Sequence, residues 1–349
     1  MKDTNLLIGK KNTGKTKYYL FNEVKQAINN NENLCIFDTR DEYFKTFSNE
    51  LKNNGYTVLV LNYLDASKSN GFNPLELPYK LYKEGKKDKA MELINDLAKN
   101  IFADRREHGD PFWTDMAISY FTGLVLILFN EGTVDNINLG SIQVMINQGE
   151  EEYKDSNYIK KYLSNYDATN IIYTTLSPIV FAPSDTKASI LSMCKDKLNT
   201  FMFRDELLNM LSTNDVDISK LTDKTAVIII GTVGKIANAF IDQLVKVSNI
   251  PFTYILDNIE SLGELLSLNN LLDNATYKNN KVFISSHNLD ELKDIYGKYV
   301  DDKFDNIMII NNSNKEELNN IGNYNDYPVL PLVKHEYFDL KKIVENMNL

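Results

Sequence analysis

The stretch GKKNTGKT, residues 9–16, combines residue types and a spacing that can bind phosphate. It matches the pattern G-x-x-x-x-G-K-[ST] at every fixed position, in which curled backbone N–H groups face phosphate oxygens, the lysine reaches the β- and γ-phosphates and the last hydroxyl ligates magnesium. The candidate phosphate-binding residues are Gly9, Lys10, Lys11, Asn12, Thr13, Gly14, Lys15 and Thr16. A glycine turn in a basic loop is the alternative, which the flanking strand and helix disfavour. The stretch therefore predicts a nucleotide and Mg²⁺ site, and the lack of an N-K-x-D motif favours ATP over GTP.

The stretch FTYILDNIESLG, residues 252–263, supplies the second group of candidates. It predicts a buried strand that ends on Asp257, where many ATPases hold magnesium, although the same residue could instead cap the next helix. Motor ATPases usually have a glutamate next, to activate the attacking water, but this chain has Asn258. A neutral carboxamide cannot accept a proton, so Asn258 can only orient a water.

Two carboxylates are candidates to replace that glutamate. Glu260 lies two residues beyond Asn258, and Glu42 follows the second predicted strand. Each could instead be a solvated or helix-capping carboxylate. The candidate catalytic residues are Lys15, Asp257, Asn258, Glu260 and His287, and the candidate metal ligands are Thr16 and Asp257. Whether the site hydrolyses ATP is left open by these residues.

Strands alternate with helices over much of the chain, which predicts an α/β fold with a mainly parallel sheet. The predicted strands are 5–8, 33–38, 56–62, 225–232, 252–257, 281–286 and 306–311. The later ones are continuous apolar runs, as expected for a parallel sheet covered on both faces. Between them the pattern is helical, so we predict a nucleotide-binding core over 1–74 and 188–349 and an inserted all-α domain over 75–187.

Composition limits the functional classes. The 349 residues carry a net charge of -10, so any DNA contact would come from local basic loops or from an assembled ring. Cys35 and Cys194 lie in apolar settings and predict buried thiols, which fits the cytoplasm. The apolar segment 116–129 is shorter than the roughly 20 residues that span a bilayer, so we predict a buried helix.

Several stretches, in order along the chain, resemble the TraG-type conjugative coupling ATPases of the HerA–FtsK group. They are FDTRDEYFKTFSNELKNNGYTVLVLNYLDASKSNGFNPLE, DPFWTDMAISYFTGLVLILF, TKASILSMCKDKL, DISKLTDKTAVIII, ILDNIESLGEL and VFISSHNLDELKDIYG. Their order from residue 5 to about 315 makes the set more specific than any one of them.

The resemblance implies a RecA-like P-loop NTPase core that acts as a ring oligomer, expected to be a hexamer. It implies that the chain passes DNA or a relaxosome complex to a type IV secretion channel, with the helical insertion engaging that substrate. It also implies a cytoplasmic location, with a position peripheral to the inner face of the cell membrane as the alternative. Family members usually carry an N-terminal membrane anchor, whereas this sequence begins eight residues before Gly9. We therefore expect an anchor that is absent, carried by a separate chain, or lost in a shortened form.

The resemblance also assigns roles to single residues. His287 replaces a family glutamine thought to sense the γ-phosphate, although a lone histidine is as often structural. A ring ATPase needs an arginine from the neighbouring subunit, and Arg204 is the candidate nearest the core. The pair Arg105-Arg106 on the insertion could contact DNA phosphates, or could be solvated surface. Phe112 and Trp113 are expected in the insertion core rather than as a base-stacking platform.

Two functional hypotheses follow. The first is a coupling ATPase that binds ATP and Mg²⁺ and delivers DNA or nucleoprotein. The second is a degenerate member that binds nucleotide, hydrolyses little and acts as an adaptor or assembly subunit, as Asn258, His287 and the acidic charge suggest. A DNA-packaging or mobile-element ATPase of the same superfamily is a weaker third possibility.

Overall fold

The computed structural model of the protein describes residues 3–103, 110–310 and 322–347. The chain divides into two compact units. Unit 1 comprises Met1–Asn70 and Asp215–Leu330, and unit 2 comprises Gly71–Asn214 and Pro331–Leu349. Each unit is therefore assembled from segments that are distant in the sequence.

The strands lie close to their predicted positions. They are β1 (Thr4–Ile8), β2 (Leu34–Asp38), β3 (Thr57–Asn62), β4 (Glu152–Tyr153), β5 (Ser156–Asn157), β6 (Thr225–Ile230), β7 (Thr253–Leu256), β8 (Lys281–Ser286) and β9 (Asn306–Ile309). Within the described residues, seven of these strands form one parallel sheet in the order β3-β6-β2-β7-β8-β1-β9. The predicted α/β fold with a parallel sheet is confirmed.

The order of the sheet brings four strand ends together. Strand β7 pairs with β2 on one side and with β8 on the other, and β8 pairs with β1. Phe37 is opposite Leu256, and Ile8 is opposite Ser286. Because parallel strands end at the same edge of a sheet, the residues that follow β1, β2, β7 and β8 meet there.

The helices surround this sheet or build unit 2. They are α1 (Phe21–Asn29), α2 (Glu42–Asn53), α3 (Glu76–Lys83), α4 (Lys87–Phe102), α5 (Pro111–Glu131), α6 (Leu139–Gly149), α7 (Tyr158–Leu163), α8 (Ile171–Val180), α9 (Ser184–Met202), α10 (Asp205–Met210), α11 (Ile236–Val247), α12 (Leu268–Asp273), α13 (Leu289–Tyr296) and α14 (Leu340–Met347). Helix α1 is preceded by a π-helical segment, Lys15–Leu20.

The centre of unit 1 is apolar on both sides of the sheet. Every residue of β2, β6 and β7 is buried. The amphipathic helices α1 and α2 contribute apolar side chains to the same core. Cys35 in β2 is buried as predicted, and its burial raises the pKa of the thiol. The central strands therefore provide a rigid support for the residues at their carboxyl ends.

Unit 2 is built around α5. Every residue from Tyr120 to Phe129 is buried, because helices of the same unit pack around them. Among the helices of the described residues, α5 has the length and composition of a membrane span, criteria that a buried core helix also meets. Its burial agrees with the predicted buried helix.

Unit 2 differs from the predicted insertion 75–187 in its bounds and content. Helix α9 belongs to it, since Cys194 Sγ lies 3.8 Å from Ala117 O in α5. The C-terminal helix α14 belongs to it as well, where the Tyr158 hydroxyl donates to Glu345 Oε1 at 2.8 Å. The unit is also not all-α, because β4 and β5 form an antiparallel hairpin. Lys154 turns that hairpin with a left-handed backbone, φ 56°.

Candidate nucleotide-binding site

The phosphate-binding candidates form a tight loop after β1. Asn12 and Gly14 have left-handed backbones, with φ of 64° and 86°. A Cβ added at Gly14 would lie 2.3 Å from Tyr18 Cδ2, and one at Gly9 would lie 2.8 Å from Thr13 Oγ1. Asparagine and glycine are the residues that best tolerate the left-handed region, so the loop's composition fits its shape. Such curled segments direct backbone N–H groups into a concavity suited to an anion.

Lys15 lies inside this loop. Only 7% of the residue is exposed, and its Nζ donates to Gly9 O and, at 3.2 Å, to Lys10 O. Burial lowers the pKa of Lys15, and the nearby carboxylates of Asp257 and Glu260 oppose that shift. The ammonium is therefore held by carbonyl oxygens at the position from which it can reach a phosphate.

Thr16 and Asp257 connect the two candidate stretches. Thr16 Oγ1 donates to Asp257 Oδ2 at 2.7 Å. Asp257 is only 6% exposed, and its other oxygen, Oδ1, accepts a hydrogen bond from Ser285 Oγ in β8. The phosphate loop and the end of β7 thus meet at one carboxylate.

Tyr43 is a residue of this site that the sequence motifs did not identify. It lies in the first turns of α2, is 1% exposed, and its hydroxyl donates to Asp257 Oδ2 at 3.1 Å. In the stretch EYFKTF its apolar neighbours make it look like an ordinary core aromatic, so sequence spacing gave no sign of this contact. Burial, with Asp257 and Asp38 nearby, raises the pKa of Tyr43 well above its usual value. The phenol therefore stays a neutral donor.

Asp38 shapes the loop that precedes Tyr43 and the start of α2. It is 1% exposed and accepts backbone hydrogen bonds from Arg40 and Glu42 at Oδ1 and from Tyr43 and Phe44 at Oδ2. Three of these four N–H groups belong to the first turn of α2, so the Asp38 carboxylate caps that helix. Asp38 therefore orders the loop between β2 and α2.

Asn258 adopts a left-handed backbone, with φ 58° and ψ 59°. Its N–H donates to Ser285 Oγ at 2.8 Å, and its Nδ2 donates to Ser261 Oγ. Asparagine is several-fold enriched in this region of backbone space. The residue that replaces the usual glutamate is thus also the residue that suits this turn.

Glu260 is turned toward the end of β8. Its Oε1 accepts from Ser286 Oγ and, at 2.5 Å, from the His287 N–H. Its Oε2 lies 3.7 Å from His287 Nδ1, and its side chain is 8% exposed. Glu260 therefore fixes the backbone at the end of β8 and orients His287.

A cleft in unit 1 joins most of these residues. Its lining comprises Lys11, Asn12, Thr13, Gly14, Lys15, Thr16, Lys17, Asp38, Thr39, Arg40, Glu42, Tyr43, Asp257, Asn258, Ser285 and His287. Of the predicted site residues, Gly9, Lys10 and Glu260 lie outside this lining. The lining residues that the sequence did not predict are Lys17, which follows the phosphate loop directly, and Asp38, Thr39, Arg40, Tyr43 and Ser285, which the strand order brings to the cleft.

Of the other three arginines, the structure describes one. Arg204 is an exposed residue of unit 2, at the start of α10. Arg105 and Arg106 lie outside the described residues. In unit 2 the Phe112 and Trp113 rings pack edge to face at 5.2 Å, and Phe112 is 44% exposed, more than the predicted core position implies.

The donor set fits magnesium bound together with phosphate. Mg²⁺ usually binds proteins through one or two carboxylates and completes its shell with water and substrate phosphates. Asp257 and Thr16 offer one carboxylate and one hydroxyl 2.7 Å apart beside the loop. Throughout the described residues there is no group of three or more His, Cys, Asp or Glu side chains that could hold a metal by itself. The chemistry of the site therefore favours a nucleotide-dependent Mg²⁺ site.

Comparison with known proteins gives a family and a fold. The family model for type IV secretory system conjugative DNA transfer matches residues 22–323. The bacterial conjugative coupling protein TrwBdeltaN70, solved in a trigonal form with sulphate, is similar with a TM-score of 0.62 and 14% identity over 88% of this chain and 70% of that chain. No curated protein matches this sequence.

Two further solved structures are similar to the same extent. Plasmid coupling protein TrwB with the ATP analogue ADPNP, and with ADP and Mg²⁺, each give a TM-score of 0.61 and 14% identity over 87% of this chain and 69% of that chain. At this identity the likeness shows the fold, which is that of a RecA-like P-loop NTPase.

Proposed function

Because this chain belongs to the type IV secretory system conjugative DNA transfer family, we propose that it is a coupling ATPase that uses ATP and Mg²⁺ to deliver DNA or nucleoprotein. One observation carries the proposal. The hydrogen bond between Thr16 and Asp257 joins a P-loop to a strand-end carboxylate, as an ATP–Mg²⁺ site requires. The TrwB structures with ADPNP and with ADP and Mg²⁺ support the choice of ligand.

The P-loop residues would bind the phosphates. The left-handed backbones of Asn12 and Gly14 curl the loop into an anion-binding shape, and the helix that follows adds its positive end. Lys15 Nζ would exchange the carbonyl oxygens of Gly9 and Lys10 for phosphate oxygens. The new hydrogen bonds to phosphate would replace those that the buried ammonium loses to the two carbonyl oxygens.

Thr16 and Asp257 would hold the magnesium. Bound Mg²⁺ supplies positive charge that offsets the charge developing on the phosphate oxygens. Asp257 is already fixed at both oxygens, by Ser285 on one and by Thr16 and Tyr43 on the other. The ligand positions are therefore set before the metal binds, which limits the reorganisation that binding requires.

Glu42 is our candidate for the general base. Glu42 is one of the residues that line the cleft, whereas Glu260 is outside that lining and its Oε1 is bound to Ser286 Oγ and to the His287 N–H. A positioned carboxylate can accept the proton of the attacking water, which the Asn258 carboxamide cannot do. Asn258 and His287, which also line the cleft, would orient the water and contact the γ-phosphate.

The second candidate function is a nucleotide-binding adaptor that hydrolyses little. Two observations favour it: Asn258 Nδ2 is bound to Ser261, and Glu260 holds the end of β8. Under this hypothesis ATP binding changes the protein's partners without repeated turnover. Both candidates require the intact P-loop.

The partners proposed for the chain follow from the family. We propose self-assembly into a ring, with a hexamer as the active form, and engagement of DNA or relaxosome proteins through the helical unit 2. Arg204 of unit 2 is exposed, which a role as the arginine supplied to a neighbouring site requires. We also propose secretion-channel components as partners and the inner face of the cell membrane as the location.

Nucleotide binding and steady-state hydrolysis test the two functions. ATP binding should be lost in Lys15→Ala and kept in Lys25→Ala, a matched substitution of an exposed lysine on α1. A coupling ATPase should hydrolyse ATP faster than Lys15→Ala does, with a further rise when single-stranded DNA is added. Turnover equal to that of Lys15→Ala would exclude the motor and favour the adaptor. Binding that survives Lys15→Ala would contradict both.

A further inference from the structure

The Asp257 carboxylate is held by three hydroxyl groups from three parts of unit 1. Its Oδ2 accepts from Thr16 Oγ1 at 2.7 Å and from the Tyr43 hydroxyl at 3.1 Å. Its Oδ1 accepts from Ser285 Oγ. Thr16 belongs to the phosphate loop, so its bond to Asp257 depends on how that loop binds its ligand. Tyr43 and Ser285 are the two donors outside the phosphate loop.

Tyr43 is itself fixed in place. Its backbone N–H donates to Asp38 Oδ2 at 2.8 Å, and its ring packs edge to face on Phe21 with 5.0 Å between the centroids. At 1% exposure the ring has almost no access to solvent. A phenylalanine could fill the same space, so packing alone does not explain the hydroxyl.

Ser285 is equally constrained. It is fully buried within β8, and its Oγ also accepts from the Asn258 N–H at 2.8 Å. The serine therefore ties the carboxylate of Asp257 to the backbone of the next residue. Strand β8 and helix α2 thus each supply one donor that fixes the Asp257 side chain.

We propose that Tyr43 and Ser285 are positioning residues for magnesium, which act through Asp257 by holding its carboxylate in the orientation that Thr16 and the metal require. This inference rests on the proposed ATP–Mg²⁺ function. Tyr43 also lies in the first turn of α2, directly after the loop that Asp38 orders, and both Arg40 of that loop and Glu42 of α2 line the cleft. Metal binding at Asp257 is thereby linked to the position of this loop.

The effect is specific to the metal. Without Mg²⁺, the nucleotide is held by the loop and Lys15, which neither hydroxyl contacts. With Mg²⁺, an Asp257 carboxylate that has lost one donor can rotate. Binding of the metal must then restrict this rotation, which lowers the net free energy of Mg²⁺ binding. Removal of one such hydrogen bond corresponds to about a 3- to 10-fold weaker affinity for the metal.

The test measures the binding of a fluorescent ADP analogue, first in EDTA and then as Mg²⁺ is added. Tyr43→Phe and Ser285→Ala should each raise the Mg²⁺ concentration at half-maximal effect by about 3- to 10-fold and leave the affinity in EDTA unchanged. Tyr56→Phe is the matched control, because this buried tyrosine donates to Glu32 O at 2.9 Å, outside the cleft lining. It should keep the wild-type midpoint.

The possible results separate this inference from the function on which it rests. An unchanged Mg²⁺ midpoint in both variants, with binding that still depends on Lys15, would overturn the positioning role and leave the proposed function standing. If one variant does not fold, the midpoint of the other decides. An equal loss of affinity with and without Mg²⁺ would show a purely structural effect and would also overturn it. Wild-type protein that binds no nucleotide would overturn both.

Discussion

Thr16 and Asp257 lie 241 residues apart in the chain, yet Thr16 Oγ1 donates a 2.7 Å hydrogen bond to Asp257 Oδ2. The sheet creates this proximity by placing β7 next to β8 and β8 next to β1. A P-loop pattern or a strand-end aspartate alone is ambiguous, because each occurs in structural turns and caps. Their direct contact identifies a nucleotide site much more specifically than either one.

Removal of the Thr16 hydroxyl should weaken Mg²⁺ binding. Thr16→Ala deletes both the proposed metal ligand and a donor to Asp257, so the Mg²⁺ requirement of nucleotide binding should rise by about 10-fold or more. Thr16→Ser keeps the hydroxyl and should stay close to wild type. Titration of nucleotide binding with Mg²⁺ measures the effect, and a serine variant as weak as the alanine variant would contradict a ligand role for the hydroxyl.

Glu42 and Glu260 should respond differently to substitution. Glu42→Gln removes the proposed base, so kcat should fall by about 10²- to 10⁴-fold while ATP affinity stays similar. Glu260→Ala leaves the His287 N–H without its acceptor, whereas Ser286 Oγ can still donate to Asn288 O at 2.9 Å, so the free energy of unfolding should fall by about 1–3 kcal/mol. Steady-state kinetics and denaturant unfolding of both variants check this pair. A wild-type kcat in Glu42→Gln would exclude Glu42 as the base.

Asn258 should stabilise the left-handed turn after β7, in addition to lining the cleft. Its φ of 58° is costly for residues other than glycine, asparagine and aspartate. Asn258→Ala should therefore lower the free energy of unfolding by about 1 kcal/mol relative to Asn258→Gly. Both variants lose the side-chain bond to Ser261, so their difference isolates the backbone. Equal stability in denaturant unfolding would contradict a strained turn.

The parts of this fold that the sequence predicts are those set by local patterns. All seven strands of the main sheet were predicted within two residues of their ends, because continuous apolar runs bounded by polar turns are local signals. The P-loop was likewise predicted from spacing, because its glycines meet a local steric demand. The bounds of unit 2 were not predicted, since α9 and α14 join it through contacts with distant helices.

The site residues missed by sequence reasoning depend on strand order. Tyr43 and Ser285 reach Asp257 because β2 and β8 both lie beside β7, and that order is not written in any one segment. The direction in which the Glu260 side chain points could not be predicted either. The residue lies two positions after Asn258 in the sequence, but the 3₁₀ turn Ile259–Leu262 directs its carboxylate to the end of β8.

Asp38 should make stability depend on pH in an unusual direction for an aspartate. Burial raises the pKa of its carboxyl from 3.8 to about 7, although the backbone hydrogen bonds from Phe44, Glu42 and Arg40 oppose the shift. Because the folded pKa lies above the unfolded one, the folded state binds the proton more tightly. The contribution of Asp38 to stability is therefore fully present below about pH 4 and is lost as the pH rises to about 7.

Comparison with Asp38→Asn measures this contribution, because an asparagine does not titrate, while its single acceptor oxygen can still accept from one of the two pairs of N–H groups. The free energy of unfolding of wild type minus that of the variant should fall by up to about 1.4 kcal/mol per pH unit between about pH 4 and about pH 7. Denaturant unfolding at several pH values gives the slope. A difference that stays constant, or that rises with pH, would mean that the four N–H donors keep the buried carboxylate ionised despite its burial.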